Sequence, residues 1–323
     1  FIEPILFFFI LQDVLKKREQ LQQVLFASIA SGFSIACGAI IQRVTGWGIP
    51  LEWARELRVT SIYPYPNAVG LYLAPITAFV MGMFTYTQTA LLSRSKKIIY
   101  LSLYGLVFVC IMSGVVFAQT EAALAAIGVS MVLFGILWGR DARRLASSAL
   151  VLFALALFLS APLAHFFEEK VFLKDWSGRV RKGIWKETAS MLHDRWFVGA
   201  GLAGYKEVFP TYHTRKHIEV FLYPHSFVLN FWTETGVMGL VGMLALIGFF
   251  FFFVLKSLWR CRLLPRSDDV LFYRSFNLAL LACMTTILIH GLVDVPYFKN
   301  DLAVFFWMLL ALALISERQT KKV

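Results

Sequence analysis

Eight apolar runs close to the length of a membrane crossing recur along this chain, at roughly 22–42, 69–92, 98–117, 122–138, 144–164, 227–255, 276–292 and 302–316. A helix needs about 20 apolar residues to cross the roughly 30 Å hydrocarbon layer of a bilayer. Inside that layer each backbone N–H and C=O must find its partner within a helix or a closed barrel. The strict polar/apolar alternation of barrel strands is missing. The sequence therefore predicts an all-α, polytopic transmembrane helical bundle of about 8–9 spans. Composition agrees: 59% of the 323 residues are hydrophobic and 16% are charged, against about 45–50% and about 25% in soluble domains. The opening run FIEPILFFFIL is too short to span, starts at Phe1 rather than Met, and lacks the basic start and cleavage site of a signal peptide. Helices upstream of Phe1 are expected.

Charge orders the loops. The net charge is +11, and in a chain this apolar such an excess sets topology rather than binding nucleic acid. Seventeen of the 31 Lys and Arg fall in five groups, near residues 16–18, 94–97, 140–144, 256–274 and 318–322. All five lie on one side if each run is crossed once. The positive-inside rule makes that side, and the C-terminus, cytoplasmic. The other side receives 43–68 and the long loop 165–226, which carries ten Lys/Arg against seven Asp/Glu. Loops of about 60 residues escape the rule, so topology leaves these cations unexplained. Cys37, Cys110, Cys261 and Cys283 are scattered without a CxxC, which argues against a disulfide framework or a zinc site.

Three segments follow from this pattern: N-terminal membrane helices over 1–164, a large extracytoplasmic loop over 165–226, and C-terminal membrane helices over 227–323. Within the loop, Asp175 or Ser177 can cap a helix reaching about His193, with Val180, Ile184, Ala189 and Leu192 at helical spacing. Arg179, Lys182 and Lys186 make a basic stripe on another face. Such an amphipathic helix can lie on the bilayer or cover a cavity. GAGLAGY, from Gly199, follows no strand and opens no βαβ unit, so it is not read as a nucleotide fingerprint. In the first outer loop, Pro64 and Pro66 force extended backbone before them, Asn67 can cap the next helix, and Arg58 sits where the chain re-enters the membrane.

These residues resemble a family. GRVRKGIWKETASMLHDRWFVGAGLAGYKEVF, followed by YPHSFVLNFWTETGVMGLVG, is similar to the O-antigen ligase/polymerase superfamily. The family pattern is an Arg, a Trp, an Asp and a G-x-G, then a loop ending in His-Asn or His-Ser, then nine residues and G-x-x-G. Here that reads His225, Ser226, nine residues, and Gly236 to Gly239. Arg58 with PNAVGLYLAP, and HGLVDVPYFKNDLAVFFWMLLAL, look like further family elements, so the resemblance runs from about Arg58 to the C-terminus. It implies a GT-C-like fold in a bacterial cytoplasmic (inner) membrane. It also implies transfer of a glycan from an undecaprenyl-diphosphate carrier to an acceptor hydroxyl at the outer face, inverting, metal-independent and without a cofactor. The acceptor is lipid A-core for a ligase; polymerases extend a glycan and other relatives glycosylate proteins, and those alternatives stay open.

The chemistry of such a transfer fits the residue types. A departing diphosphate accumulates negative charge, which fixed arginines can stabilise through paired hydrogen bonds. Arg58 and Arg179, with Arg181 beside them, are assigned to the donor diphosphate. The attacking hydroxyl needs a base, and a neutral histidine supplies one near physiological pH; this is His225. Each has a plainer reading, as a cation or imidazole among lipid headgroups. His290 and Asp294 are spaced i, i+4, which predicts one helix face and a supporting or bundle-closing pair. Glu234 is expected to orient an arginine or a histidine, or to be buried as the neutral acid. His213 and His217 share a helical metal spacing but lack a third ligand, and solvated loop residues are expected there. Two other classes of function compete: a transporter or flippase, which should carry broken helices, mid-membrane charges and repeated halves, and a non-enzymatic scaffold, which would need neither His225 nor Arg58.

Overall fold

The computed structural model of the protein describes residues 2–215, 221–297 and 300–323. Among the described residues helix accounts for 79% and no strand occurs. The helices are α1 (Ile2–Val14), α2 (Arg18–Thr45), α3 (Leu51–Ala54), α4 (Pro66–Thr89), α5 (Arg94–Phe117), α6 (Glu121–Trp138), α7 (Arg140–Leu159), α8 (Ala161–Val171), α9 (Trp176–Asp194), α10 (Tyr205–Val208), α11 (Phe227–Leu263), α12 (Asp268–His290) and α13 (Asn300–Gln319). Among the described residues seven of them, α2, α4 to α7, α11 and α12, are long and apolar enough to cross a membrane, and α13 carries the last predicted run. The polytopic helical bundle read from the apolar runs is the architecture observed.

The chain divides into two compact units. One comprises Phe1–Trp138, Phe249–His290 and Pro296–Val323; the other comprises Gly139–Gly248 and Gly291–Val295. In the first unit α4 and α12 form the centre, with 78% of each apolar window buried, while α2, α5 and α6 bury about a third or less of theirs. Small residues let the central helices approach: a Cβ on Gly82 of α4 would lie 2.6 Å from the Ala279 Cβ of α12. Charge finishes the packing. Arg18 binds Asp268 at 2.7 Å and Asp269 at 2.6 Å and stacks over the Phe272 ring. Glu317, almost fully buried, gathers Arg260 at 2.9 Å, Lys321 at 3.0 Å and Lys256 at 3.3 Å. Several residues that read as topology charges in the sequence are thus counter-ions of carboxylates, because a buried carboxylate needs a partner.

The second unit is organised by α9. Asp175 caps it, accepting from the Gly178 N–H at 3.1 Å, as the sequence predicts. The apolar face does not need a bilayer to cover it. Val180, Ile184, Met191 and Leu192 pack with Tyr205 and Phe209 in a small protein core, and Thr188 and Tyr205 share a 2.8 Å hydrogen bond inside it. Ala189, expected on this face, is exposed, and Met191 takes its place. The predicted span 144–164 breaks at Ser160, whose hydroxyl accepts from Leu163 N as α8 begins with Pro162 in its first turn.

Candidate functional site

Three segments of the second unit meet around His225. Trp185 on α9 donates its indole N–H to the Pro224 carbonyl at 2.9 Å, which fixes the stretch before the histidine. Phe227 N–H, at the start of α11, donates to Gly291 O at 2.8 Å, which fixes the stretch after it. His225 itself has φ +48, in the left-handed region that costs a residue with a Cβ about 1–3 kcal/mol when its surroundings impose it. The rings of Phe221 and Tyr223 stand edge-on to the imidazole, at centroid distances of 4.9 and 5.0 Å. Burial, and then the neighbouring Asp294, push the Tyr223 phenol up, so it stays protonated.

The imidazole faces a carboxylate. His225 Nδ1 lies 3.8 Å from Asp294 Oδ1, with side-chain exposures of 18% and 3%. Nδ1 is buried and makes no hydrogen bond among the described residues, so the exposed part of the side chain lies elsewhere on it. At 3.8 Å the pair is looser than a hydrogen bond, as catalytic contacts often are before substrate binds. Asp294 Oδ1 also accepts from Val295 N at 2.8 Å. The i, i+4 reading of His290 and Asp294 needs correction: α12 ends at His290, so Asp294 sits in the turn beyond the helix. His290 is buried and belongs to the other unit.

Among the arginines of α9, Arg181 is the one directed at this turn. Its Nε donates to Val293 O at 3.0 Å and its Nη1 to Ser177 Oγ at 2.6 Å. Arg179 is exposed on the opposite stripe and bonds the Lys174 carbonyl. The Arg215 guanidinium crosses α9 at Gly183, where an added Cβ would be 2.3 Å from its Nη1; nothing in the sequence pattern singles this residue out. Arg58 lies in the first unit. It donates to Ala118 O at 3.2 and 3.3 Å and to Asn67 Oδ1 at 3.3 Å, and it stacks over Trp53 at 5.0 Å. Burial lowers its pKa, opposed by Glu56 and Glu121. Asn67 is therefore a partner of Arg58 rather than the cap of α4, whose N-cap position is Tyr65.

The two glycine motifs find their purpose in each other. Gly236, inside α11, has φ +68 and ψ −177, a combination open essentially to glycine alone. The kink admits the loop after α9. Ala200 N donates to Thr233 O at 2.7 Å and Val237 N to Phe197 O at 3.2 Å, while Trp232 Nε1 donates to Trp196 O at 2.7 Å. The Glu234 carboxylate accepts from Ala203 N. Glu234 thus orients the glycine loop, not an arginine or the histidine.

His213 overturns the solvated reading. It is buried, with Nδ1 2.8 Å from Glu187 Oε2; His217 lies outside the described residues. Burial works against ionisation of Glu187, but hydrogen bonds from Thr214 and His213 outweigh it and hold the carboxyl below its ordinary range. A depressed acid contributes stability that is complete above its unfolded pKa and is lost as pH falls through the folded one. Protection from exchange of the Thr214 amide, whose N–H donates to Glu187 Oε1 at 3.1 Å, should fall as pH drops below the glutamate range. In Glu187→Gln the pH-dependent component should vanish; an unchanged profile would refute the coupling. Among the described residues no group of three or more His, Cys, Asp or Glu is placed to hold a metal ion.

Residues 106–244 match the family described as O-antigen ligase. The matched span takes in α9, both glycine motifs and His225, and leaves Arg58 and Asp294 outside it. No curated protein matches the chain.

Proposed function

We propose, for a chain whose residues 106–244 match the O-antigen ligase family, that it moves a glycan from a polyprenyl-diphosphate carrier onto an acceptor hydroxyl, with inversion at the anomeric carbon and without a metal. The family is one of membrane glycan-transfer enzymes, and the chain is an integral membrane protein. Undecaprenyl diphosphate as carrier, lipid A-core or a growing glycan as acceptor, a cytoplasmic (inner) membrane and an extracytoplasmic loop 165–226 are parts of the proposal.

The observation that carries it is the His225–Asp294 pair. When the pair closes from 3.8 Å to hydrogen-bond distance, Asp294 holds a proton on Nδ1, which leaves the Nε2 lone pair to take the acceptor's proton. The acceptor oxygen then bonds to the anomeric carbon as the carbon–oxygen bond to the diphosphate breaks. The electron pair leaves with the diphosphate, and the proton stays on Nε2. Arg181 is the first candidate to meet the charge on the departing group, since it is half-buried and anchored beside the Asp294 turn. Arg179 is a more peripheral contact. Arg58 is assigned to the donor on its chemistry alone, as a guanidinium with a planar fork suited to phosphate oxygens.

Purified protein, given carrier-linked glycan and candidate acceptors, should release carrier diphosphate and form a linkage of inverted configuration, in the presence of chelator. Retention of configuration would overturn the mechanism. Arg181→Ala should lower transfer by about a hundredfold, the usual cost of a lost oxyanion-type donor, with Arg181→Lys restoring only part. Arg179→Ala should cost much less, because an exposed cation is largely screened. Equal effects of the two would reverse these roles.

A further inference from the structure

A second site lies in the first unit, between the basic C-terminal end of α11 and the N-terminal part of α12. A cavity of about 230 Å³ opens there, smaller than the roughly 300–1,000 Å³ of ordinary small-molecule pockets. Leu137, Leu255, Leu258 and Leu278 form its apolar wall, and Trp259, Arg262 and Arg274 also line it. Leu278 is buried, whereas Trp259 is 63% exposed, as expected of an indole at a membrane interface.

The charges around this cavity are unbalanced. On the same helix, Lys256 and Arg260 are neutralised by Glu317. Arg262 and Arg274 form no ion pair with a carboxylate among the described residues, nor does Arg266 in the short connection between the helices. Arg274 stacks over the Trp138 ring at 5.3 Å and donates to the Trp138 carbonyl, which satisfies part of its fork and attracts its charge through the ring face without supplying an anion. An arginine keeps its charge even in apolar surroundings, and an ionised group among membrane helices calls for a counter-ion. The missing partner is an anion, and the leucine wall beside it asks for a hydrocarbon chain.

We infer that this cavity binds an anionic glycerophospholipid of the bilayer, its phosphate between Arg262 and Arg274 and the upper part of one acyl chain against the leucines. Basic pockets between membrane helices recognise anionic headgroups on these physical grounds. The site uses no residue assigned above to glycan transfer.

The test is lipid retention by the full-length chain, delipidated in detergent and followed by native mass spectrometry. Phosphatidylglycerol and phosphatidylcholine with the same acyl chains are added separately, and inorganic phosphate is then titrated into the phosphatidylglycerol-loaded protein as competitor. Phosphatidylglycerol should be retained as one lipid per chain, at least about fivefold over phosphatidylcholine, as expected for a basic contact to an anionic headgroup. Arg262→Gln, at an exposed position, should remove about that factor. Leu258→Trp, which fills the cavity, should abolish retention without changing the thermal midpoint by more than a few degrees. Equal retention of the two lipids, or indifference to both substitutions, would overturn the inference. So would inorganic phosphate displacing the lipid with the same dependence on Arg262, since the site would then be an anion site with no use for a chain.

Discussion

Replacing His225 with alanine is expected to slow glycan transfer by at least about a hundredfold, the lower end of what a positioned general base contributes. The imidazole is held from every side: Trp185 pins the backbone before it, Gly291 the backbone after it, and two aromatic rings flank it. Removing it leaves the attacking hydroxyl with no acceptor for its proton. Because φ is +48 at this position, alanine inherits the backbone strain. His225→Asn, which tolerates left-handed backbone better, separates lost chemistry from altered folding. Both variants should be inactive, and the asparagine variant should melt at or above the alanine one. Asp294→Asn should cause a smaller loss, because it keeps the shape of the side chain and removes only the charge behind Nδ1. Initial rates at saturating donor read all three. Activity of the two His225 variants within about twofold of the parent would remove the base from the mechanism, since a lost base costs far more.

The second large effect is expected at Gly236. A Cβ there would lie 2.0 Å from the Phe197 carbonyl oxygen, on backbone that cannot step aside without undocking the glycine loop. The torsion penalty alone is about 1–3 kcal/mol, and the overlap adds to it. Gly236→Ala should lower the thermal midpoint by several degrees and expose the loop to trypsin after Arg195. Gly199→Ala should do the same, for its Cβ would meet Thr233 O at 2.4 Å. Gly242, six residues along α11, has open space around its Cβ position, and Gly242→Ala should be neutral. If Gly236→Ala and Gly242→Ala behave alike, the two glycine motifs do not hold each other.

These expectations differ in how far the chain alone foretells them. G-x-G and G-x-x-G can be read as motifs without a structure, and the nucleotide reading can be discarded because no strand precedes them. That each glycine exists to admit the other's backbone is visible only once Phe197 and Val237 are joined. The same divide runs through the site. His225 stands out in sequence, at a loop end, at a fixed distance from Gly236. Trp185, Phe221 and Tyr223, which hold it, look like ordinary interface aromatics until their rings are placed.

What the sequence by itself determined is what depends on local periodicity and on the solvent: the helical class, the rough positions of the apolar runs, and the cap and most of the amphipathic face of α9. A bilayer enforces these one segment at a time, so no distant residue is needed to read them. Tertiary structure alone decided which polar groups meet. Asp294 pairs with a histidine 69 positions earlier, Arg181 turns inward while Arg179 turns out, His213 is buried against Glu187, and Glu317 meets Lys256 and Arg260 from another helix. Such pairings come from packing distant segments so that buried charge is matched. No window of sequence contains both halves of the match.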